Sequence, residues 1–217
     1  MARRVVRLRG VTVLLGRFPA LARADFDAFE GEVVVLEGPN GSGKTTLLRL
    51  LVGLVGASEG EVAVFGLDPA KDVASVRRAA TYLGHQAMLY EDLSAEENIA
   101  FLGRLGVIDA ERARGLCDQL AVGRRERGRR MRQLSAGQRR KVALAATLAR
   151  PAELLLLDEP HAALDPEGKE LLDALLADAG AQGRTVILAS HEAERVRSVA
   201  TRRYRLSGGH PKELPSC

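Results

Sequence analysis

A chain of 217 residues, 46% hydrophobic and 28% charged, carries enough apolar mass for one sizeable globular domain with room for an inserted subdomain. Its formal charge of +4 does not by itself call for a nucleic-acid partner, and no run approaches the roughly eighteen consecutive apolar residues of a membrane span. Cys117 and Cys217 are too distant in sequence for a disulfide framework or zinc knuckle, and Arg7 and Arg9 interrupt any signal-type apolar core. Free thiols and a cytosolic setting are therefore expected.

In chain order, "RVVRLRGVTVLL" and "ARADFDAFEGEVVVLEG" read as β-type runs, with Glu30-Gly31 as a turn. Glu32 to Glu37 has the continuous apolar centre, Val33 to Leu36, of a strand buried on both faces of a parallel sheet. A glycine-rich loop follows, and Lys44 to Leu54 then reads as helix. Next come a strand at Glu61 to Phe65, a helix at Pro69 to Arg78 and a strand at Ala80 to Gly84. Residues 88 to 150 are rich in helix formers, hold a capping box at Ser94 and Glu97, and lack a convincing strand, as an inserted helical lobe would. The β/α alternation resumes with a strand at Glu153 to Asp158, a helix at Pro166 to Ala179, a last strand at Arg184 to Ser190 and a helix near Glu192 to Ser198. The expectation is one α/β domain interrupted by helices.

Three stretches carry chemistry. "GPNGSGKT", Gly38 to Thr45, fits G-x-x-x-x-G-K-[ST] and stands between a strand and a helix, as a phosphate-cradling loop must. Gly38, Pro39, Asn40, Gly41, Ser42, Gly43 and the helix start through Thr46 would turn backbone amides onto phosphates. Lys44 would supply charge to the β- and γ-phosphates, and the Thr45 hydroxyl could bind Mg²⁺. "LLLLDEP" is an apolar strand ending in two carboxylates: Asp158, placed to hold Mg²⁺, and Glu159, placed to polarise an attacking water. "LSAGQ", Leu134, Ser135, Ala136, Gly137 and Gln138, opens a helix with small residues and backbone amides that suit an anion. Alone, that third stretch reads equally as an ordinary helix capped by Ser135.

The order of phosphate loop, Gln86, "LSAGQ", "LLLLDEP", "ALD" and His191 resembles the nucleotide-binding subunit of ABC transporters over nearly the whole chain. The resemblance implies a P-loop NTPase fold of the ABC type, with an N-terminal antiparallel β part and an inserted helical subdomain. It implies a single nucleotide-binding domain over 1–217, with 1–87 and 151–217 as core lobe and 88–150 as helical subdomain. Its substrate would be ATP with Mg²⁺. Two copies would pair head to tail, each signature helix closing on the γ-phosphate held by its partner, and separate integral membrane subunits would be driven from the inner face of the membrane. By the same resemblance Gln86 would ligate Mg²⁺, His191 would contact the γ-phosphate, and Asp165 would be the subunit-crossing aspartate. His85, His161 and His210 have no such support. The family's adenine-stacking aromatic is missing: Leu15 stands at that position, and Phe18 is the neighbouring aromatic able to replace it.

"YLGHQ", "VRLRGVT" and "RQLSAGQRRKVALA" further resemble the ATP-binding subunit of haem exporters in cytochrome c maturation. No direct haem binding is expected, since nothing in the sequence looks like an axial-ligand site. General exporter and antibiotic-resistance subunits share most of this frame, so efflux of a drug or lipid stays open. A non-transport ABC-type ATPase acting on ribosomes or DNA usually carries two cassettes or a long coiled-coil insertion. The run "GRRERGRRMRQ" holds six arginines just before the signature. It reads as a solvated basic loop, or as a contact for acidic partner helices or anionic headgroups; nucleic acid is not expected, because no aromatics interleave the run.

Overall fold

The computed structural model describes residues 2–85, 89–191 and 193–215. They divide into two compact units. The first comprises Met1–Tyr82, Ala152–Glu159 and Leu176–Cys217; the second comprises Leu83–Pro151 and Pro160–Leu175.

The first unit begins with two long strands, β1 (Arg4–Leu15) and β2 (Phe18–Phe29), followed by β3 (Val33–Glu37), α1 (Lys44–Leu51), β4 (Glu59–Val64), α2 (Val73–Ala79) and β5 (Ala80–Leu83). The chain then passes through the second unit, with α3 (Ala95–Arg104), α4 (Ala110–Gln119), the short α5 (Arg124–Arg127), a 3₁₀ turn at Met131–Gln133 and α6 (Ala136–Leu148). After α6 come β6 (Leu154–Asp158), α7 (Pro166–Ala181), which runs from the second unit into the first, β7 (Thr185–Ala189), α8 (Ala193–Val196), β8 (Arg202–Ser207) and β9 (His210–Glu213).

Two sheets organise the first unit: an antiparallel β2-β1-β4 and a six-stranded β5-β6-β7-β3-β8-β9. In the latter β6, β7, β3 and β8 run parallel and β9 returns antiparallel. Every residue of β3, β6 and β7 is buried, which is why these strands read as unbroken apolar runs rather than as alternations. Leu47, Leu48, Leu50 and Leu51 of α1 join Leu36, Leu154, Ile187 and Phe26 in one core, each such side chain contributing about 1.5–3 kcal/mol by leaving water.

The boundaries differ from expectation where backbone chemistry overrides propensity. Helix α1 stops at Leu51 rather than Leu54, because Gly53 takes a left-handed φ of 64° and donates to Leu50 O, while Leu54 N closes on Arg49 O. Helix α2 starts at Val73 rather than Pro69, where the Asp72 carboxylate accepts the Ser75 amide. The largest correction lies at the C-terminal end: Arg184–Ser190 is not the last strand. β8 and β9 follow, and β8 pairs with the central β3. Its sequence RRYRLS hides the signal, because arginines occupy the positions flanking buried Tyr204 and Leu206. Their charge is met by acids: Arg202 by Glu213 and Glu32, and Arg203 and Arg205 by the buried Glu37.

In the second unit Ser94 caps α3 through the expected capping box, its hydroxyl accepting Glu97 N at 3.1 Å while Glu97 Oε2 accepts Ser94 N at 2.7 Å. Those bonds hold the Glu97 carboxyl below its ordinary range. Buried Asn98 ties α3 to the preceding loop through Tyr90 N and Tyr90 O. Arg127 is the buried member of the arginine run, paired with Asp118 and Glu96, and Arg132 pairs with Asp92. Cys117 is buried, and desolvation pushes its thiol up to about 12.

Candidate active site

The first unit gathers the phosphate loop and both carboxylates. Strand β3 delivers the chain into Gly38, and α1 leaves from Gly43, so the loop turns between a buried strand and a buried helix. Gly38 at φ 144° and Gly43 at φ 106° occupy backbone conformations closed to other residues. A Cβ on Gly38 would sit 2.4 Å from Leu206 O, and one on Gly43 would sit 2.4 Å from Ala20 O, so side chains are excluded twice over. Gly43 is the N-cap of α1 and provides no side-chain acceptor, leaving the first amides of that helix without a side-chain cap.

Lys44 is 6% exposed, and its ammonium donates to Gly38 O at 2.7 Å and Pro39 O at 3.2 Å, which folds it back over the loop. Ser42 Oγ is buried without a protein partner among the described residues. A buried hydroxyl beside a cationic lysine and uncapped amides fits a polyanionic group such as a triphosphate. Pro39, Asn40 and Gly41 are exposed at the rim, and Thr46 is buried behind the loop.

Asp158, at the end of β6, is 1% exposed and receives two hydroxyls: Thr45 Oγ1 to Oδ1 at 3.1 Å and Tyr82 OH to Oδ2 at 3.2 Å. Burial raises the Tyr82 phenol above its ordinary range, Arg49 opposes that, and the Asp158 charge adds to it, so Tyr82 stays a proton donor. No group of three or more His, Cys, Asp or Glu able to hold a metal occurs among the described residues. The Thr45–Asp158 pair instead fits an ion such as Mg²⁺, which takes few protein oxygens and completes its shell from phosphates and water.

Glu159 bears a left-handed φ of 48°, held there by its amide donating to Ala189 O at 3.0 Å. Its carboxylate accepts His191 N at 3.3 Å and lies 2.7 Å from His191 Nδ1. The glutamate side chain is 12% exposed and the imidazole 60%, so the histidine is the accessible member. The adjacent acids are thus separated by partners: Asp158 is gripped by hydroxyls and Glu159 by an imidazole. Sequence reasoning missed Tyr82 and Arg49. The available signal was one of three tyrosines in the chain ending a strand just ahead of a candidate loop.

The signature lies in the second unit. Leu134 is buried and Ser135 and Ala136 are exposed, with Gly137 and Gln138 half-buried. Ser135 Oγ accepts Gln138 N at 3.1 Å and Gln138 Oε1 accepts Ser135 N at 3.0 Å, so α6 caps itself reciprocally. A Cβ on Gly137 would lie 2.8 Å from Ala163 O, which explains glycine there. Asp165 accepts Lys141 Nζ at 3.1 Å and Gly168 N at 3.1 Å; the Lys141 hydrogen bond is the main cause of its lowered carboxyl pKa. Gln86 lies outside the described residues. Leu15 and Phe18 face each other as the closing pair of the β1–β2 hairpin, Phe18 80% exposed and Leu15 about half.

A parallel sheet whose buried strand feeds a glycine loop, a capped-by-nothing helix and a lysine folded over both defines a P-loop nucleoside triphosphatase. The sequence profile of the ABC transporter family matches residues 21–162. The chain belongs to this family of ATP-binding, ATP-hydrolysing cassettes. It is 38% identical over 198 residues to the cytochrome c biogenesis ATP-binding export protein CcmA of Nitrosomonas europaea, covering 89% of this chain and 91% of that one. It is 36% identical to the daunorubicin resistance ATP-binding protein DrrA3 of Streptomyces coeruleorubidus, covering 93% of this chain and 65% of that one. The dimeric post-hydrolysis structure of the ATP-binding cassette MJ0796 bound to ADP and Pi superposes with a TM-score of 0.83 at 29% identity, over 98% of this chain and 99% of that one. No helix among the described residues is long and apolar enough to cross a membrane.

Proposed function

We propose that this chain is the motor subunit of an exporter serving cytochrome c biogenesis, moving haem through separate integral membrane subunits. Residues 1–217 then act as a single nucleotide-binding domain, with 1–87 and 151–217 as core lobe and 88–150 as helical subdomain, working as a peripheral subunit on the cytoplasmic face of the membrane. The observation that carries the catalytic reading is the split pair of acids, Asp158 on the Thr45 and Tyr82 hydroxyls and Glu159 on His191.

In this reading Gly38 to Thr46 wrap the triphosphate of ATP with backbone amides, and Lys44 exchanges its loop carbonyls for β- and γ-phosphate oxygens. Thr45, Asp158 and Gln86 would hold Mg²⁺, which when bound neutralises charge on the phosphates. Glu159 takes the proton of the water whose oxygen attacks the γ-phosphorus, ADP departing with the bonding pair. His191 fixes the Glu159 rotamer and contacts the γ-phosphate, where it stabilises charge developing in the transition state. Leu134 to Gln138 of a second copy supply the Ser135 hydroxyl and the Gly137 amide to the γ-phosphate, and Asp165 crosses between copies. ATP thereby favours the closed homodimer by its differential affinity for that state. Phe18 offers the exposed ring on which the base can rest.

Similarity to CcmA over most of both chains supports the cytochrome c assignment, whereas a nearly equal identity to DrrA3 supports drug efflux as the second reading. Purification of the tagged chain from its native membranes separates them. Recovery with small membrane proteins and failure of cytochrome c assembly on deletion is the expected result. Intact cytochrome c with lost drug resistance would establish the second reading, and recovery with ribosomes or DNA would overturn transport altogether.

A further inference from the structure

We infer that Gly209, in the turn between β8 and β9, is a positioning residue for ATP: its backbone aims an amide of the phosphate loop. The inference rests on the phosphate-loop reading above and adds a segment far downstream of that loop.

Ser207 pairs with His210, so Gly208 and Gly209 form a two-residue hairpin turn, with φ values of 55° and 80° as a type I′ turn requires. The Gly209 amide donates to Ser42 O at 3.2 Å, and Gly209 O accepts the Ala22 amide of β2 at 3.1 Å. One residue therefore bridges the phosphate loop and the antiparallel sheet. A trans peptide carries its C=O and N–H on opposite edges, so pinning Ser42 O to the turn directs the Gly43 N–H away from it, into the cradle. The Ser42 side chain gives the loop no anchor, because its hydroxyl is buried without a protein partner among the described residues. At Ser42 the anchors are backbone ones: Ser42 N on Pro39 O at one edge, and Gly209 N on Ser42 O at the other.

The fit is tight only at the second glycine. A Cβ on Gly209 would stand 3.0 Å from Ala20 O, Ala22 N and Leu21 Cα, whereas a Cβ on Gly208 would meet nothing within 4 Å. Alanine at either position strains the same turn, but only at 209 does it push the turn off β2 and draw its amide from Ser42. Gly208→Ala is therefore an internal control for turn strain.

The test compares Gly209→Ala and Gly208→Ala with the parent by ATP titration and steady-state hydrolysis. Gly209→Ala is expected to raise both Kd and KM for ATP roughly tenfold, as loss of a well-aimed hydrogen bond to a charged group would, with kcat at saturation changed less than about threefold. Gly208→Ala is expected to stay within about twofold of the parent in all three constants. Equal affinities of two folded variants would overturn the inference alone. Should Gly209→Ala not fold, amide exchange on the parent decides: ATP slowing exchange at Gly209 and Gly43 but not at Gly208 supports the clamp, and unchanged exchange at Gly209 overturns it. A parent that binds ATP no better than Lys44→Ala would overturn the phosphate-loop reading and the inference with it.

Discussion

Two helices of this molecule begin at glycine-containing motifs, and they begin in opposite states. Helix α1 has glycine at its N-cap, no side-chain acceptor and a lysine folded over its loop. Helix α6 has Ser135 at its N-cap and a reciprocal bond with Gln138 that satisfies its own amides. The first start holds its amides ready through backbone constraints imposed by β2 and β8. The second must give up a cap to take a ligand, and such a cap is typically worth about 1 kcal/mol. A charge-assisted bond of about 1.5–3 kcal/mol exceeds that, whereas a neutral bond does not. The contrast fits the proposed division of labour, in which one start would bind ATP alone and the other would engage a phosphate held by a second copy.

Glu159 serves both helix starts, because the water it would activate attacks the phosphate they share in the proposed reaction. Glu159→Gln is expected to lower ATP turnover by roughly 10²–10⁴-fold while binding survives, accumulating an ATP-dependent dimer in size-exclusion chromatography. Turnover at the parent rate would remove Glu159 from the reaction. Ser135→Arg tests the α6 start: ATP binding should persist, and hydrolysis should fall by roughly 10²–10³-fold. A fully active variant would show that α6 is only a capped helix. At the α1 start, Lys44→Ala is expected to weaken ATP binding by roughly 10–100-fold, the equivalent of one charged hydrogen bond, measured by fluorescence titration.

Ser94 sharpens the contrast, since its capping box with Glu97 has the same chemistry as that of Ser135 but is nearly buried. Ser94→Ala should cost about 1 kcal/mol of stability in urea melts with kinetic constants unaltered, while Ser135→Ala should alter both. The smallest effect concerns acid. The folded-state Asp165 carboxyl titrates below its ordinary value because of Lys141, so its contribution is full above about pH 4 and fades as pH falls through the depressed pKa. Lys141→Met should return the Asp165 carboxyl toward that value in an NMR titration and move the onset of acid unfolding slightly upward; an unmoved titration would assign the shift elsewhere.

Legibility in the sequence followed burial. β3, β6 and β7 are buried on every residue, and their apolar runs were readable to within a residue or two. β8 was not, because a strand beside the sheet centre carries three arginines whose partners, Glu37, Glu32 and Glu213, come from elsewhere in the chain. The Gly208-Gly209 turn was a readable hairpin signal that arginine-rich flanks obscured. Lys44, Thr45, Asp158, Glu159 and His191 could be named from motif order, and the structure brings all five into the first unit. Tyr82, which donates to Asp158, and Arg49, which acts on Tyr82, could not, since these contacts depend on packing between elements with no local pattern.

By itself the sequence determined which residue types stand at each start of a helix or end of a strand, because glycine conformation, capping and apolar periodicity act within a few residues. Only the tertiary structure decided that Asp158 and Glu159, neighbours in the chain, answer to different partners, and that a turn at Gly209 holds the loop at Ser42. Those contacts join residues more than thirty positions apart, and the hydrogen bonds that make them specific depend on how the sheets pack rather than on any local preference.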